Sequence, residues 1–240
     1  MWNSTSGLLL WMSHPAWPSM VWQIYSWDYE TFGSFYGCRK ACEPIHIQKN
    51  LDDQKVVVVN TSLKEIKGAK VIYEVYSLEG KSLFKRTSKL NVLANGLTEC
   101  FVQDKPISAS GVYMERLILQ DKRGKVISIN DYWQDNGEGD FQGFNALEEA
   151  SINCKLIRQK ESQIQIELQN TGAMPALALK LNVREADTDK RILPAYASDG
   201  YFNLLPGEKR TVTVEYVSRG KVAISAEGYN LKRSRLLTLK

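Results

Sequence analysis

The side chains best able to do chemistry gather at the start of the chain. Five of the six tryptophans lie in the first 27 residues, at positions 2, 11, 17, 22 and 27. The carboxylates Asp28, Glu30 and Glu43 follow closely. Indole rings bind ligands through their flat apolar faces, and carboxylates can transfer protons or act as nucleophiles. The long remainder carries only Trp133. This asymmetry predicts an aromatic piece of one architecture joined to a tail of another.

The sequence contains no complete set of residues for metal, phosphate or serine chemistry. The two histidines, His14 and His46, lack neighbours at the spacing of metal ligands. No glycine-rich phosphate loop and no serine in a nucleophile elbow occurs. The glycine-rich acidic stretch at 135–144 lacks the ligand spacing of an EF-hand, so it is predicted to be a linker. We therefore expect neither a metal nor a cofactor.

Composition and charge argue against two classes of partner. Of the 240 residues, 43% are hydrophobic and 24% are charged, and the net charge is +4. This charge is mild, and the basic residues are spread along the chain, so we expect no nucleic-acid binding. No apolar run approaches the ~20 residues of a membrane-spanning helix, so we expect no membrane partner either.

Residues 43–140 have the two-residue periodicity of β-strands. The stretch 55–60 contains four consecutive valines, 71–76 is β-branched and aromatic, and 111–120 alternates apolar and polar residues. Turn dipeptides such as Asn95-Gly96 separate these runs. Six to eight short strands at this spacing predict an antiparallel sandwich of the immunoglobulin type.

Residues 148–240 repeat this organisation. Alternation is clearest at 163–168 and 177–183, and it continues at 212–216. Residues 205–208, with sequence LPGE, form a good tight turn because proline fixes φ and glycine accepts a positive one. A second immunoglobulin-like sandwich is therefore predicted here. The expected fold class is mainly β, with two such sandwiches preceded by a short strand-loop-helix.

The first 42 residues lack the alternating pattern of the two predicted sandwiches. Residues 8–12 are continuously apolar, as in a strand covered on both faces, and a proline-containing loop and a predicted helix over 31–41 follow. One such unit cannot bury both faces of its strand. We therefore expect it to pack on the first sandwich, to pair with another copy of the chain, or to be poorly ordered.

The four cysteines are predicted to be unpaired and mostly buried. Cys38 and Cys42 lie four residues apart in the predicted helix, where side chains share a face but meet poorly for a disulfide torsion. Cys154 alternates inward in a strand pattern, and Cys100 lies in the first predicted sandwich.

Five short segments carry a resemblance to a known family: LWMSHPAWPS at 10–19, VWQIY at 21–25, KACEPIHIQ at 40–48, NTG at 170–172 and SDGYFNLLPGE at 198–208. They resemble the C-terminal part of glycoside hydrolase family 2, most closely its exo-β-D-glucosaminidase and β-mannosidase branch. The resemblance implies the last strand and helix of a (β/α)8 catalytic barrel over 1–42, followed by the two sandwiches. It also favours a periplasmic or secreted location.

The resemblance assigns Trp11 to the wall of the sugar-binding pocket, at the C-terminal end of the eighth barrel strand. Barrel chemistry occurs at that end, and an indole suits the C–H face of a sugar ring. His14 and Trp17 are the other candidate substrate-binding residues. For Trp17 and Trp22 packing on the barrel rim is the alternative, and for Trp2 and Trp27 packing is preferred. Tyr25 and Tyr36 are also expected to pack.

The resemblance places the two catalytic glutamates of a retaining glycosidase on earlier barrel strands, which this chain does not contain. Asp28, Glu30 and Glu43 are not expected to replace them. We therefore expect no catalytic residue here and no glycosidase activity of the chain alone, with carbohydrate bound through the missing barrel. Two alternatives stay open, a carbohydrate-binding module and a purely structural or interaction role. Self-association through the apolar N-terminal segment is a further expectation.

Overall fold

The computed structural model describes residues 7–19, 23–103, 111–135, 137, 139–217 and 220–239. Within these residues the backbone forms fifteen β-strands, one α-helix and one short 3-10 helix. Contacts divide the chain into two compact units, one containing Arg39–Ala146 and the other containing Leu9–Cys38 together with Leu147–Lys240. Each unit holds antiparallel sheets, and the predicted mainly β class with two immunoglobulin-like sandwiches is confirmed.

The first sandwich has seven strands in two antiparallel sheets. One sheet has the order β1-β2-β5 and the other has the order β4-β3-β6-β7. The valine run predicted at 55–60 is strand β2, because β-branched side chains pack well on a pleated surface. The bounds are β1 Ile45–Lys49, β2 Lys55–Asn60, β3 Ile66–Ser77, β4 Ser82–Val92, β5 Gly96–Val102, β6 Tyr113–Gln120 and β7 Val126–Gln134.

An ion pair lies inside the core of the first sandwich. Lys49 Nζ lies 2.8 and 2.9 Å from the two carboxylate oxygens of Glu115, and the two side chains are 2% and 1% exposed. The Tyr73 hydroxyl donates a hydrogen bond to the same carboxylate at 2.9 Å. Burial and the nearby Glu115 charge raise the pKa of Tyr73 above its usual value, so the phenol stays protonated and keeps donating.

A short 3-10 helix, Gln142–Ala146, begins within the predicted linker at 135–144 and extends beyond it. The Phe144 ring meets Trp133 edge-on, with centroids 5.1 Å apart and an interplanar angle of 80°. Gly143 fits beside Leu78 and Val112, where an added Cβ would meet their side chains at 3.4 and 3.5 Å. Residues 136 and 138 lie outside the described residues.

The second sandwich has eight strands in two antiparallel sheets. The sheet orders are β11-β13-β9-β8 and β12-β10-β14-β15. Leu204, Val212 and Ile224 are among the side chains of its buried core. The bounds are β8 Ile152–Lys160, β9 Gln163–Asn170, β10 Ala176–Glu185, β11 Ala195–Ala197, β12 Phe202–Leu204, β13 Lys209–Tyr216, β14 Val222–Gly228 and β15 Leu231–Leu239.

The tight turn predicted at 205–208 is present. Gly207 has a φ of 77°, the left-handed region that glycine enters at little cost. The Glu208 amide donates to the Leu205 carbonyl at 2.9 Å, which closes the turn between β12 and β13.

The N-terminal segment differs from its prediction in two ways. The helix is present as α1, Gly33–Ala41. Residues 7–12 form no strand, because the described residues give this stretch no neighbouring strand to satisfy its backbone hydrogen bonds. Residues 23–38 contact the second sandwich through Glu30 and Tyr36, whereas the first of the three arrangements expected for the N-terminal segment was packing on the first sandwich.

All four cysteines are free, as predicted. The expected burial was only partly right, because Cys42 is exposed and the other three are half-buried. Burial raises the pKa of the Cys100 thiol to about 12 and that of Cys154 to about 11, so neither forms a thiolate at neutral pH. Among the described residues, no helix has the length and apolar character needed to cross a membrane.

Candidate functional site

The two candidate indoles of the N-terminal segment face solvent. Trp11 is 85% exposed and Trp17 is 69% exposed. Leu8 and Leu9 beside them are 85% and 97% exposed, which leaves an apolar surface uncovered. The indole rings of Trp11 and Trp17 are therefore both accessible to a ligand or to another protein surface. Trp2 and Trp22 lie outside the described residues.

His14 is held in one orientation by the turn that follows it. Its Nε2 lies 3.2 Å from the Trp27 carbonyl oxygen, and its ring stacks on Tyr29 with centroids 4.6 Å apart. A carbonyl only accepts hydrogen bonds, so Nε2 carries the proton and Nδ1 of the neutral ring is left as an acceptor. His14 can thus receive a hydrogen bond from a hydroxyl group.

The turn over residues 25–31 is closed by backbone and side-chain hydrogen bonds. Tyr25 and Thr31 form an antiparallel bridge, and the Ser26 amide donates to the Glu30 carbonyl at 2.9 Å. The Glu30 amide donates in return to Ser26 Oγ at 3.1 Å, and the same hydroxyl donates to Asp28. These bonds fix the backbone of the turn and the direction of the Asp28 carboxylate. We call residues 25–31 the acidic turn.

Both carboxylates of the acidic turn bind cations of the second sandwich. Arg191 lies 2.9 Å from an Asp28 oxygen and also donates to Glu30. Lys180 of β10 lies 3.0 Å from the other Glu30 oxygen and 3.0 Å from Glu227 of β14. Charge-assisted hydrogen bonds of this kind are the stronger ones in proteins. Two of the three acids expected to be non-catalytic, Asp28 and Glu30, are thus bound in ion pairs.

Lys180 keeps its charge in a half-buried position. Burial alone would lower its pKa, but the hydrogen bonds to Glu227 and Glu30 outweigh burial and raise it. Its ammonium also lies 5.6 Å from the centre of the Tyr201 ring, within the range of a cation–π contact. A cavity of about 30 Å³ beside it is lined in part by Glu30, Tyr36 and Arg191, and it has the volume of about one water molecule.

Aromatic packing joins helix α1 to the second sandwich next to these charges. The rings of Tyr36 and Tyr201 lie 5.9 Å apart, and the Tyr36 hydroxyl lies 3.0 Å from Thr31 Oγ1. The ring rests on Gly200, where an added Cβ would come within 2.6 Å of it. Only glycine permits this approach. The packing role expected for Tyr36 agrees with these contacts, and Tyr25 packs on Phe35 at 5.3 Å.

Glu43 lies in the first unit and is also bound by polar partners. It contacts Lys40 at 2.8 Å, the Ser128 hydroxyl at 2.7 Å and His46 Nδ1 at 3.4 Å. Burial opposes its ionisation, but the bonds from His46, Lys40 and Ser128 prevail and lower its pKa from 4.5 to about 2. Glu43 is therefore ionised at neutral pH. Among the described residues, no group of three His, Cys, Asp or Glu side chains is arranged to hold a metal ion.

Two family models match the chain, one on each sandwich. The model described as the exo-beta-D-glucosaminidase Ig-fold domain matches residues 130–231. The model described as the mannosidase Ig/CBM-like domain matches residues 52–136. The resemblance to the exo-β-D-glucosaminidase and β-mannosidase branch of glycoside hydrolase family 2 is confirmed.

Individual relatives match nearly the whole chain. An exo-beta-D-glucosaminidase of Arthroderma benhamiae is 26% identical over 96% of this chain and 28% of its own length. A mannosylglycoprotein endo-beta-mannosidase of Lilium longiflorum is 25% identical over 96% of this chain and 31% of its own length. The crystal structure of an Amycolatopsis orientalis exo-chitosanase has a TM-score of 0.83 and 26% identity, and the match covers 94% of this chain and 30% of that one.

The chain therefore spans less than a third of each of these relatives. Their similarity supports the fold and the family resemblance. It does not test the assignment of Trp11, His14 and Trp17 to sugar binding, which stays a prediction.

Sequence reasoning missed Lys180, Arg191 and Glu227. The alternation at 177–183 marks Lys180 only as a polar position of a predicted strand. Its partner Glu30 lies 150 residues earlier in the chain. A periodicity shows which face a side chain occupies, but it gives no signal for a partner so distant in sequence.

Proposed function

We propose that the chain is the C-terminal accessory region of a retaining exo-β-glycosidase that hydrolyses β-glucosaminides or β-mannosides. One observation carries the proposal. The alignment with an exo-beta-D-glucosaminidase covers 96% of this chain but only 28% of the relative. The two sandwiches then support a catalytic barrel, and the N-terminal segment completes the wall of its sugar pocket.

The exposure of the N-terminal segment supports this role. An indole that is 85% exposed, as Trp11 is, presents its face to a sugar ring without any rearrangement. His14 adds a hydrogen-bond acceptor fixed by Tyr29 and the Trp27 carbonyl, and Trp17 adds a second exposed ring. Together they offer the apolar face and the polar contact that a sugar ring requires.

Hydrolysis is assigned to residues outside this chain. A retaining glycosidase needs two carboxyl groups ~5–5.5 Å apart, one protonated and one free to attack. Asp28 and Glu30 both bind Arg191, and Glu43 is held ionised by three hydrogen-bonding partners. Asp28 and Glu30 are therefore engaged in ion pairs, and the lowered pKa of Glu43 prevents it from donating a proton at neutral pH.

Activity measurements on the chain alone test this assignment. We expect no turnover of chromogenic β-glucosaminide or β-mannoside substrates by the 240-residue chain. Turnover that persists in Trp11→Ala but disappears in Glu30→Gln would overturn the assignment, because it would place the chemistry on the acidic turn.

The pocket-wall role is tested in the enzyme assembled with its barrel. Trp11→Ala should lower kcat/KM for a β-glucosaminide or β-mannoside by about 10–100-fold, since it removes a stacking face worth ~1–3 kcal/mol. Tyr229→Ala is the matched control, because Tyr229 is an aromatic side chain on the second sandwich with 57% exposure. Equal effects of the two variants would contradict the role of Trp11.

A carbohydrate-binding module is the second candidate. It is favoured by the Ig/CBM-like description of the model that matches residues 52–136, and by four exposed rings among the described residues after α1, Phe84, Phe141, Tyr196 and Tyr229. Titration of the chain with mannose, glucosamine and chito-oligosaccharides separates this candidate from a purely structural role. Saturable binding that survives Trp11→Ala and Trp17→Ala would favour the module.

The exposed apolar surface at Leu8 and Leu9, next to the ring assigned to the sugar, is assigned to a protein interface. In the assembled enzyme the barrel covers it, and in the isolated chain a second copy takes that place. Sedimentation should show self-association of the chain that Leu9→Ser weakens, because Leu9 is 97% exposed and contributes nothing to either core. A monomer at all concentrations would contradict the second half of this assignment.

A further inference from the structure

The second sandwich holds the segment that carries the candidate sugar-binding residues. The path begins in its sheet, where Lys180 of β10 and Glu227 of β14 form an ion pair at 3.0 Å. These strands are hydrogen-bonded neighbours, and the register places Lys180 opposite Glu227. The cation is thus anchored on a rigid sheet before it meets any residue of the N-terminal segment.

The next step joins the sheet to the acidic turn. Lys180 donates to one oxygen of Glu30 at 3.0 Å, and Arg191 donates to the other. Arg191 also donates to Asp28 at 2.9 Å. The Asp28 and Glu30 side chains are 19% and 17% exposed. Partial burial strengthens these pairs relative to pairs at an open surface. Two cations and two carboxylates therefore fix the turn at two points.

The last step joins the acidic turn to the candidate pocket wall. The Tyr25 amide donates to the Ser13 carbonyl at 3.1 Å, and His14 rests on Tyr29 and on the Trp27 carbonyl. Trp11 and Trp17 lie three residues to either side of His14. Any displacement of the acidic turn would therefore move the loop that presents both indoles.

We propose that Lys180 and Arg191 are positioning residues for sugar binding, acting through the acidic turn on His14, Trp11 and Trp17. This inference rests on the proposed function, because it takes these three residues as the pocket wall. The second sandwich then does more than support a barrel. It sets the geometry of the substrate site through the ion pairs that Lys180 and Arg191 form with the acidic turn. Neither Lys180 nor Arg191 contacts the sugar in this proposal.

The first part of the test uses the chain alone and does not depend on catalysis. Hydrogen exchange of the amides of residues 23–31 is compared in the wild type and in Lys180→Met/Arg191→Gln. We expect exchange there to become about 10-fold or more faster, with strands β9 and β13 unchanged. Lys209→Met is the matched control, because Lys209 pairs with Glu167 at 2.9 Å elsewhere on the same sandwich.

The second part uses the assembled enzyme and separates positioning from general support. The double variant should raise KM for a chromogenic β-glucosaminide or β-mannoside by about 5–10-fold and change kcat less, because the reacting carboxylates are untouched. The conservative single variant Lys180→Arg should keep KM close to that of the wild type, since a guanidinium can still bridge Glu30 and Glu227. A general loss of folding would instead lower the active fraction and leave KM unchanged.

The outcomes distinguish this inference from the proposed function. Unchanged exchange at residues 23–31 overturns the inference whatever the enzyme does. Faster exchange with an unchanged KM also overturns it, because the turn would then be held without affecting the sugar. An assembled wild type that hydrolyses neither substrate overturns the proposed function and, with it, the assignment of the wall. Faster exchange with a raised KM supports both.

Discussion

Each sandwich brings a lysine against carboxylates, but the two clusters differ in where they lie. Lys49 and Glu115 are inside the core of the first sandwich, where their side chains are 2% and 1% exposed. Lys180 and Glu30 lie at the surface of the second sandwich, with 21% and 17% exposure, and Arg191 beside them is 39% exposed. Similar chemistry therefore occurs in two quite different dielectric surroundings.

This difference indicates two different roles. A buried pair costs several kcal/mol of desolvation for each ion, so it adds little net stability although its members cannot be removed singly. It joins β1 of one sheet to β6 of the other sheet across the core. A half-buried pair costs less to form and less to break, which suits a contact between the acidic turn and the sandwich that holds it.

The largest expected effect comes from breaking the buried pair. Glu115→Ala leaves the Lys49 ammonium and the Tyr73 hydroxyl inside the core without their acceptor. We expect a loss of ~3–5 kcal/mol in the unfolding free energy of the first sandwich, measured by urea denaturation.

The matched control replaces both charges by apolar residues. Lys49→Met/Glu115→Leu should recover most of that loss, because no buried charge is then left unpaired. A double variant as unstable as Glu115→Ala would show that the pair itself stabilises the core, and the contrast between the two clusters would weaken.

The packing that accompanies the surface cluster is the next to test. Gly200→Ala places a Cβ within 2.6 Å of the Tyr36 ring, so the ring must move away. We expect a loss of ~1–3 kcal/mol in the unfolding free energy of the second unit. Tyr36→Leu should relieve the clash when combined with Gly200→Ala.

Gly37→Ala is the control for this prediction. Gly37 lies within α1 and an added Cβ there would meet no atom within 4 Å. Alanine forms helices better than glycine by ~1 kcal/mol, so this variant should be neutral or stabilising. Destabilisation by both substitutions would mean that α1 tolerates no added side chain, and the close contact with Gly200 would lose its special role.

The sandwiches could be predicted because their signals are local. The run at 55–60 became β2 with the same bounds, and the turn at 205–208 has the predicted positive φ at Gly207. Alternation along a strand reports which side chains face inward, and glycine and proline report turns. These features need no knowledge of distant residues.

The N-terminal segment shows where local signals end. Residues 8–12 have the composition of a buried strand, but a strand needs neighbours to take up its backbone hydrogen bonds, and the described residues give it none. The contacts of Glu30 with Lys180 and Arg191 join residues 150 and 161 positions apart. Only the folded arrangement of β10 and the loop after it brings them together.

Acid titration separates a charge of the first unit from those at the acidic turn. The folded-state pKa of Glu43 is depressed from 4.5 to about 2, so its contribution is present above pH 4.5 and is lost as pH falls toward 2. Converted in full to unfolding free energy, this pKa shift would contribute ~3 kcal/mol. Because Glu43 is partly exposed, solvent screening reduces the expected contribution to ~1–2 kcal/mol. The expected result is a fall in the stability of the first unit over this interval.

The Glu43→Gln variant provides the reference for that measurement. A glutamine cannot ionise, so its stability should change less between pH 4.5 and 2 than that of the wild type. Parallel curves for the two proteins would show that the fall comes from other carboxylates, and Glu43 would then resemble an ordinary surface acid.

The smallest expected effect on global stability is that of Arg191. Arg191→Met removes two ion pairs whose cation is 39% exposed, so the unfolding free energy of the second unit should fall by less than ~1 kcal/mol. Addition of 1 M salt should shrink the difference further, because solvent screens exposed charges at that ionic strength.

Arg116→Met in the first sandwich is the comparison, since Arg116 binds Asp131 at 2.7 and 2.8 Å and is only 4% exposed. Its loss should be larger and nearly independent of salt. If the two variants lose the same unfolding free energy with the same dependence on salt, depth of burial does not separate the two kinds of ion pair. The pairs of Arg191 with Asp28 and Glu30 would then behave like pairs of the core.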